Sequence, residues 1–160
     1  MILIDFNKDS NLNNWTVVDD VVMGGRSDGH FEINQDGNAV FQGRVSLENN
    51  GGFSSVRYNF DQIKMEGYSK IKIRIKGDGK QYQFRVKSNK FDRHSYIYSF
   101  ESKGDWEIVN IPLSEMEPGF RGRKLDMPNY PANTLAEVAI LISNKKAESF
   151  RLEIDRMTLE

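Results

Sequence analysis

Apolar and polar residues alternate along most of this chain with a period of two, and almost nowhere with the spacing of a helix. Ile71, Ile73 and Ile75 interleave with Lys70, Lys72, Arg74 and Lys76; beyond Gly77-Asp78-Gly79, Tyr82, Phe84 and Val86 interleave with Gln81, Gln83, Arg85 and Lys87. Successive strand residues point to opposite faces, so each run predicts a strand with one buried side. The intervening glycines supply positive φ, and the two runs are expected to close as a hairpin with a basic outer face. The same alternation predicts strands over 2–6, 15–18, 30–33, 39–47, 53–58, 95–101, 106–111, 138–143 and 149–158, with short helical turns at 60–65 and 113–116. Many short strands punctuated by turn residues predict an all-β fold, an antiparallel sandwich. The segment 117–134, with three prolines and two glycines, is expected to be an irregular and functional loop.

The chain has 160 residues, a length that fits one domain over 1–160 with one core. Its 22 basic and 23 acidic residues nearly cancel, which argues against a general attraction to nucleic acid or anionic membrane. It has no cysteine, so disulfides, thiolate metal sites and cysteine nucleophiles are excluded. The first residues show no basic region followed by a long apolar run, and no stretch approaches the roughly eighteen apolar residues of a membrane span. The expectation is a cytoplasmic protein without membrane insertion.

Catalysis finds little footing. His30 and His94 are isolated from each other in the pattern, no serine sits in a nucleophile elbow, and the glycine pairs do not open a helix as a phosphate loop must. Asp19 and Asp20 are neighbours on an extended segment, so they point to opposite sides and cannot act as a pair. Asp9, Asn11, Asn13, Trp15 and Asp20 keep the spacing of a calcium loop, but Asn14 stands where the turn glycine belongs and no helices flank them. A structural calcium held by Asp5 and Asp155 is conceivable, an ion pair between Asp155 and a strand lysine being the alternative; otherwise no cofactor is expected. The basic face and the rings of Tyr82 and Phe84 fall on opposite sides of their strand, which separates a phosphate groove from a stacking platform and argues against nucleic acid. Tyr96, Tyr98 and Phe100 form an aromatic strand face, either core or a sugar-stacking surface.

What stands out is a pair of glycine-rich turns. Val21-Val22-Met23-Gly24-Gly25-Arg26-Ser27 and Asn50-Gly51-Gly52-Phe53-Ser54-Ser55-Val56-Arg57 each join a double glycine to a small hydroxyl residue and an arginine. Asp20 is expected to tie down the first turn as a hydrogen-bond acceptor or to contact a ligand. In Gly119-Phe120-Arg121-Gly122-Arg123, two arginines can fork onto carboxylates or carbonyls beside an aromatic anchor, or brace the loop internally.

Together with Phe41-Gln42-Gly43, Gly77-Asp78-Gly79, Tyr82 and Phe150-Arg151-Leu152-Glu153-Ile154-Asp155, these motifs occur in an order that resembles the complex I intermediate-associated protein 30 family over nearly the whole chain. The resemblance implies a jelly roll of galactose-binding-domain-like type, similar to carbohydrate-binding modules. It also implies a non-enzymatic assembly factor or chaperone for the membrane arm of NADH:ubiquinone oxidoreductase. The expected function is therefore a binding module for a protein partner, such as respiratory-complex subunits or assembly factors, with a glycan as the alternative. The expected contact surface combines Asp20, Met23, Arg26, Ser54, Arg57, Phe120, Arg121 and Arg123.

Overall fold

The computed structural model describes residues 1–20 and 25–160. Thirteen strands build two antiparallel sheets among these residues: β1 (Ile2–Asp5), β2 (Trp15–Asp19), β3 (Asp28–Ile33), β4 (Ala39–Val45), β5 (Ser54–Lys64), β6 (Lys70–Lys76), β7 (Gln81–Lys87), β8 (Ser95–Glu101), β9 (Trp106–Pro112), β10 (Glu117–Phe120), β11 (Arg123–Lys124), β12 (Thr134–Ile142) and β13 (Glu148–Leu159). One sheet has six strands in the order β3-β4-β13-β6-β9, with β1 also paired to β13; the other has seven, in the order β11-β10-β8-β7-β12-β5-β2.

The inward positions of both sheets meet in one core. Val56, Tyr82, Phe84, Val86, Val138 and Ile140 come from the seven-stranded sheet; Phe41, Ile71, Ile73, Ile75, Ile111, Leu152 and Ile154 come from the six-stranded one, and all are closed to solvent. Burying a side chain of this size contributes about 1.5–3 kcal/mol, so the alternation read from the sequence is also the main source of stability.

The sequence pattern placed β6 and β7 in a hairpin, and the structure corrects this. The two strands are not paired: β6 lies between β13 and β9, whereas β7 lies between β8 and β12. The Gly77-Asp78-Gly79 link therefore crosses from one sheet to the other, and the basic faces of the strands lie on opposite outsides of the sandwich. Asp78 secures the crossing, accepting hydrogen bonds from the Tyr82 hydroxyl (3.1 Å) and the Arg151 N–H (2.8 Å). Residues 60–65, expected as a helical turn, instead extend β5 to Lys64, with a register shift where β12 runs between Leu135 and Glu137. The expected turn at 113–116 is a 3-10 turn, Leu113–Glu115. The loop 117–134 contains two short strands, β10 and β11. Trp106 lies on the outer face of the six-stranded sheet with the Arg74 guanidinium 4.4 Å above its ring.

β12 lies between β7 and β5 in the seven-stranded sheet. It is buried along eight of its nine residues, on its outer side as well as its inner one. Glu137, Ala139 and Leu141 alternate with the core residues Val138 and Ile140, so they face away from the other sheet, yet each is no more than 5% exposed. Long side chains on the neighbouring strands must wall them in.

Candidate binding face

Asp20 directly follows β2 and is buried. Its carboxylate accepts the Ser27 N–H (2.8 Å), the Ser27 hydroxyl (2.6 Å), the Gly52 N–H (2.6 Å) and the Phe53 N–H (3.2 Å), while its carbonyl accepts the Gly25 N–H at 2.8 Å. The two glycine turns thus converge on one carboxylate. This explains why Gly25 and Gly51 carry no side chain: a Cβ at either position would collide with the Asp20 carboxylate. Burial alone pushes the Asp20 carboxyl up, but the hydrogen bonds from the Ser27 hydroxyl and the Gly52, Ser27 and Phe53 N–H groups outweigh it and hold the group below its ordinary value.

Asp20 is therefore a brace, with no exposed oxygen to offer a ligand. Ser54 is fully buried and its hydroxyl donates to Asp19, so it too braces the turn from inside. Arg26 is exposed and lies 3.6 Å from Glu48. Met23 lies outside the described residues.

At the other edge of the sheet, Phe120 and Arg123 face each other across a two-residue hairpin whose central residues, Arg121 and Gly122, have φ of +50° and +77°. Positive φ at both positions is the mark of a type I′ turn, the turn whose twist suits a tight hairpin. The Arg121 guanidinium rests 5.2 Å from the Phe120 ring centroid, and Arg123 is exposed. β10 is four strands from β5, about 19 Å at the usual spacing, so the two glycine-arginine regions do not form the single patch expected from sequence.

Between those edges lies a feature that strand-by-strand reading missed. The register aligns Thr16, Arg57, Ala139, Arg85, Ile97 and Glu117 in one row across the outer face of the seven-stranded sheet. The next row on one side carries Ser55, Leu141, Gln83 and Ser99, and on the other Asn59, Glu137 and Lys87. The small or apolar β12 residues form a floor, and the long side chains of β5 and β7 rise beside it. Toward β10 and β11 the trough deepens into a cavity of about 430 Å³ lined by Gln83, Arg85, Ile97, Ser99, Glu117 and Arg123 among others.

The chemistry of this face is polar. Gln83 Oε1 accepts from both Nε (3.0 Å) and Nη2 (2.6 Å) of Arg85, which fixes the plane of that guanidinium. Burial, reinforced by the nearby Arg57 charge, pushes Arg85 down to about 10. Burial pushes the Glu137 carboxyl up, and Lys87 and Arg57 only partly offset it. The outward positions of these rows carry no aromatic ring; Tyr96 and Phe100 of β8 are buried in the core, and Tyr98 packs against it while also lining the cavity. Among the described residues, no three His, Cys, Asp or Glu side chains are grouped to hold a metal ion, and Asp155 is paired with Arg74 at 3.0 Å. Again among these residues, no helix is long and apolar enough to cross a membrane.

Comparison with known proteins gives this geometry a context. Residues 4–154 match the family described as Complex I intermediate-associated protein 30 (CIA30). The chain belongs to the CIA30 family. An uncharacterised protein of Schizosaccharomyces pombe is 32% identical over 146 residues, a match covering 78% of this chain and 66% of that protein, so the chain spans just under two thirds of its relative. Among solved structures, a family 11 carbohydrate-binding module from Clostridium thermocellum, in complex with a β-1,3-1,4-mixed-linked tetrasaccharide, is similar with a TM-score of 0.70 and 16% identity, covering 99% of this chain and 93% of the module. An agarase is similar over 100% of this chain and 24% of its own, with a TM-score of 0.65 and 11% identity. A family 28 carbohydrate-binding module specific for non-crystalline cellulose covers 100% of this chain and 91% of its own, with a TM-score of 0.58 and 8% identity. At such identities the likeness is one of fold, and it makes this CIA30 domain a galactose-binding-like jelly-roll sandwich.

Proposed function

We propose that this CIA30 domain is a non-enzymatic binding module that holds a polypeptide partner in the trough on the outer face of its seven-stranded sheet. The observation carrying this reading is the double burial of β12: Ala139 and Leu141 form a floor on the solvent side of the sheet, flanked by guanidinium, amide and carboxylate groups. Such groups recognise peptide carbonyls, N–H groups and charged side chains. Membership of a family named for a complex I intermediate supports a partner among respiratory-complex subunits or their assembly factors. The module acts as a chaperone of assembly in a reducing compartment, consistent with a chain that has no cysteine.

A glycan is the second reading, and one observation favours it. A cavity of about 460 Å³ beside β2 is lined by Trp15, Tyr58, Asn11, Asn13 and Asn14 among others, and the two rings stack with centroids 4.7 Å apart. Rings beside amides are suited to sugars.

Two binding measurements separate the readings. Calorimetry with the β-1,3-1,4-mixed-linked tetrasaccharide is expected to show no saturable heat. Capture after mild crosslinking is expected to retain a polypeptide on the wild type that is lost with Arg85→Glu. Saturable sugar binding, together with identical capture by both forms, would replace the polypeptide reading with the glycan one.

A further inference from the structure

Within the trough, Arg57 and Arg85 stand out by their surroundings. They occupy the same cross-strand row on either side of Ala139, pointing outward from β5 and β7. Of the three arginines that are not exposed among the described residues, Arg74 has a carboxylate within 4 Å, at Asp155. Arg57 and Arg85 have none among the described residues, although both are half-buried and close enough to repel each other. Two like charges held together in a partly desolvated site cost stability unless a counter-charge relieves them.

We propose that Arg57 and Arg85 form a seat for one carboxylate of an acidic polypeptide segment lying in the trough. This rests on the reading of the trough as the binding face and names the chemistry of what it holds. Gln83 takes one edge of the Arg85 guanidinium and so fixes its plane before any ligand arrives, leaving N–H groups on the other side. A fork held in plane suits a carboxylate better than a point charge does. Ala139 supplies only a methyl group between the two arginines and is 3% exposed, so neighbouring side chains cover the floor and a ligand meets the guanidinium groups above it. Glu137, in the adjacent row, senses the Arg57 charge, but burial pushes its carboxyl up and so works against its serving as the counter-charge of the pair. The amides of Gln83 and Asn59 and the hydroxyl of Ser99 flank the seat and are suited to peptide groups. A neutral sugar gains nothing from the paired charges.

The test is an NMR titration of the full chain, following the backbone amides and the arginine Nε–Hε signals. Three probes are used: a capped ten-residue peptide alternating glutamate and serine, its glutamine counterpart, and the neutral mixed-linked tetrasaccharide. The glutamate peptide is expected to shift Arg57 and Arg85 Nε–Hε together with the Gln83 and Ser99 amides. Its affinity should fall by about tenfold or more for the glutamine peptide, and likewise in Arg57→Gln and Arg85→Gln. Arg85→Lys, which keeps the charge but not the fork, should weaken binding while leaving the spectrum folded. Equal affinity for the glutamate and glutamine peptides, or trough shifts only with the tetrasaccharide, would overturn the carboxylate seat and leave the trough as a binding face. Shifts confined to other surfaces would overturn both.

Discussion

Asp20 shows how much one buried carboxylate can organise. It receives four hydrogen bonds from two glycine turns that lie about thirty residues apart in the chain. Asp20→Asn keeps the shape but replaces an acceptor-only group with one whose amide meets N–H donors. The expected loss is about 3 kcal/mol at pH 7, read from urea unfolding. The pH dependence follows from the lowered carboxyl: the charged form is favoured by folding, so its contribution is complete above the ordinary value of 3.8 and fades as pH falls through the lower folded value. The gap between wild type and Asp20→Asn should therefore be constant from pH 5 to 7 and narrow below about pH 4. A gap that persisted unchanged at pH 2 would show that the charge is not what matters. From sequence, an aspartate before a double glycine could be read as a turn anchor. Its second partner could not, because nothing local indicates that Gly52 returns to it.

Among the elements, periodicity was a good guide to which residues form strands and a poor guide to which strands pair. β6 and β7 have clear alternation and a glycine turn between them, yet they belong to different sheets. A glycine-rich link permits a sharp hairpin and a crossing equally well, and here the core decides: both strands bury their apolar faces toward the sandwich interior from opposite sides. β10 and β11 were hidden for the opposite reason. Glu117-Pro118-Gly119-Phe120 has little strand propensity and forms a strand only because β8 offers an edge. The turn between them carries its own prediction. Asn-Gly is the preferred type I′ pair, so Arg121→Asn should hold or raise stability, by up to about 1 kcal/mol, while removing the exposed charge. A marked fall in Tm would mean that Arg121 stabilises the hairpin through its contact with Phe120.

For the whole molecule, the sandwich class was legible because its inward faces are apolar at every second position. The trough was not, because its residues come from β2, β5, β7, β8, β10 and β12, which span most of the chain. Taken one strand at a time, Gln83, Arg85 and Lys87 look like an ordinary solvated face. Only the register brings Arg85 beside Ala139 and Arg57 and turns that face into the wall of a trough. The contact surface expected from sequence was divided in the same way: the glycine turns belong to one edge of the sheet and the arginine hairpin to the other. Arg57 and Arg123 face the space between them, whereas Asp20 and Ser54 work from inside.

On the proposed function this outer face, and not the opposite one, meets the partner. The most direct measurement places a photo-crosslinking amino acid at Ser99, in the trough, and separately at Ile108, which is 53% exposed on the outer face of the six-stranded sheet, and illuminates the protein in its own cells. A discrete polypeptide adduct is expected from position 99 and not from position 108, and adding Arg85→Glu should abolish it. Adducts that form from position 108 alone would place the partner on the other sheet and overturn this assignment of the binding face.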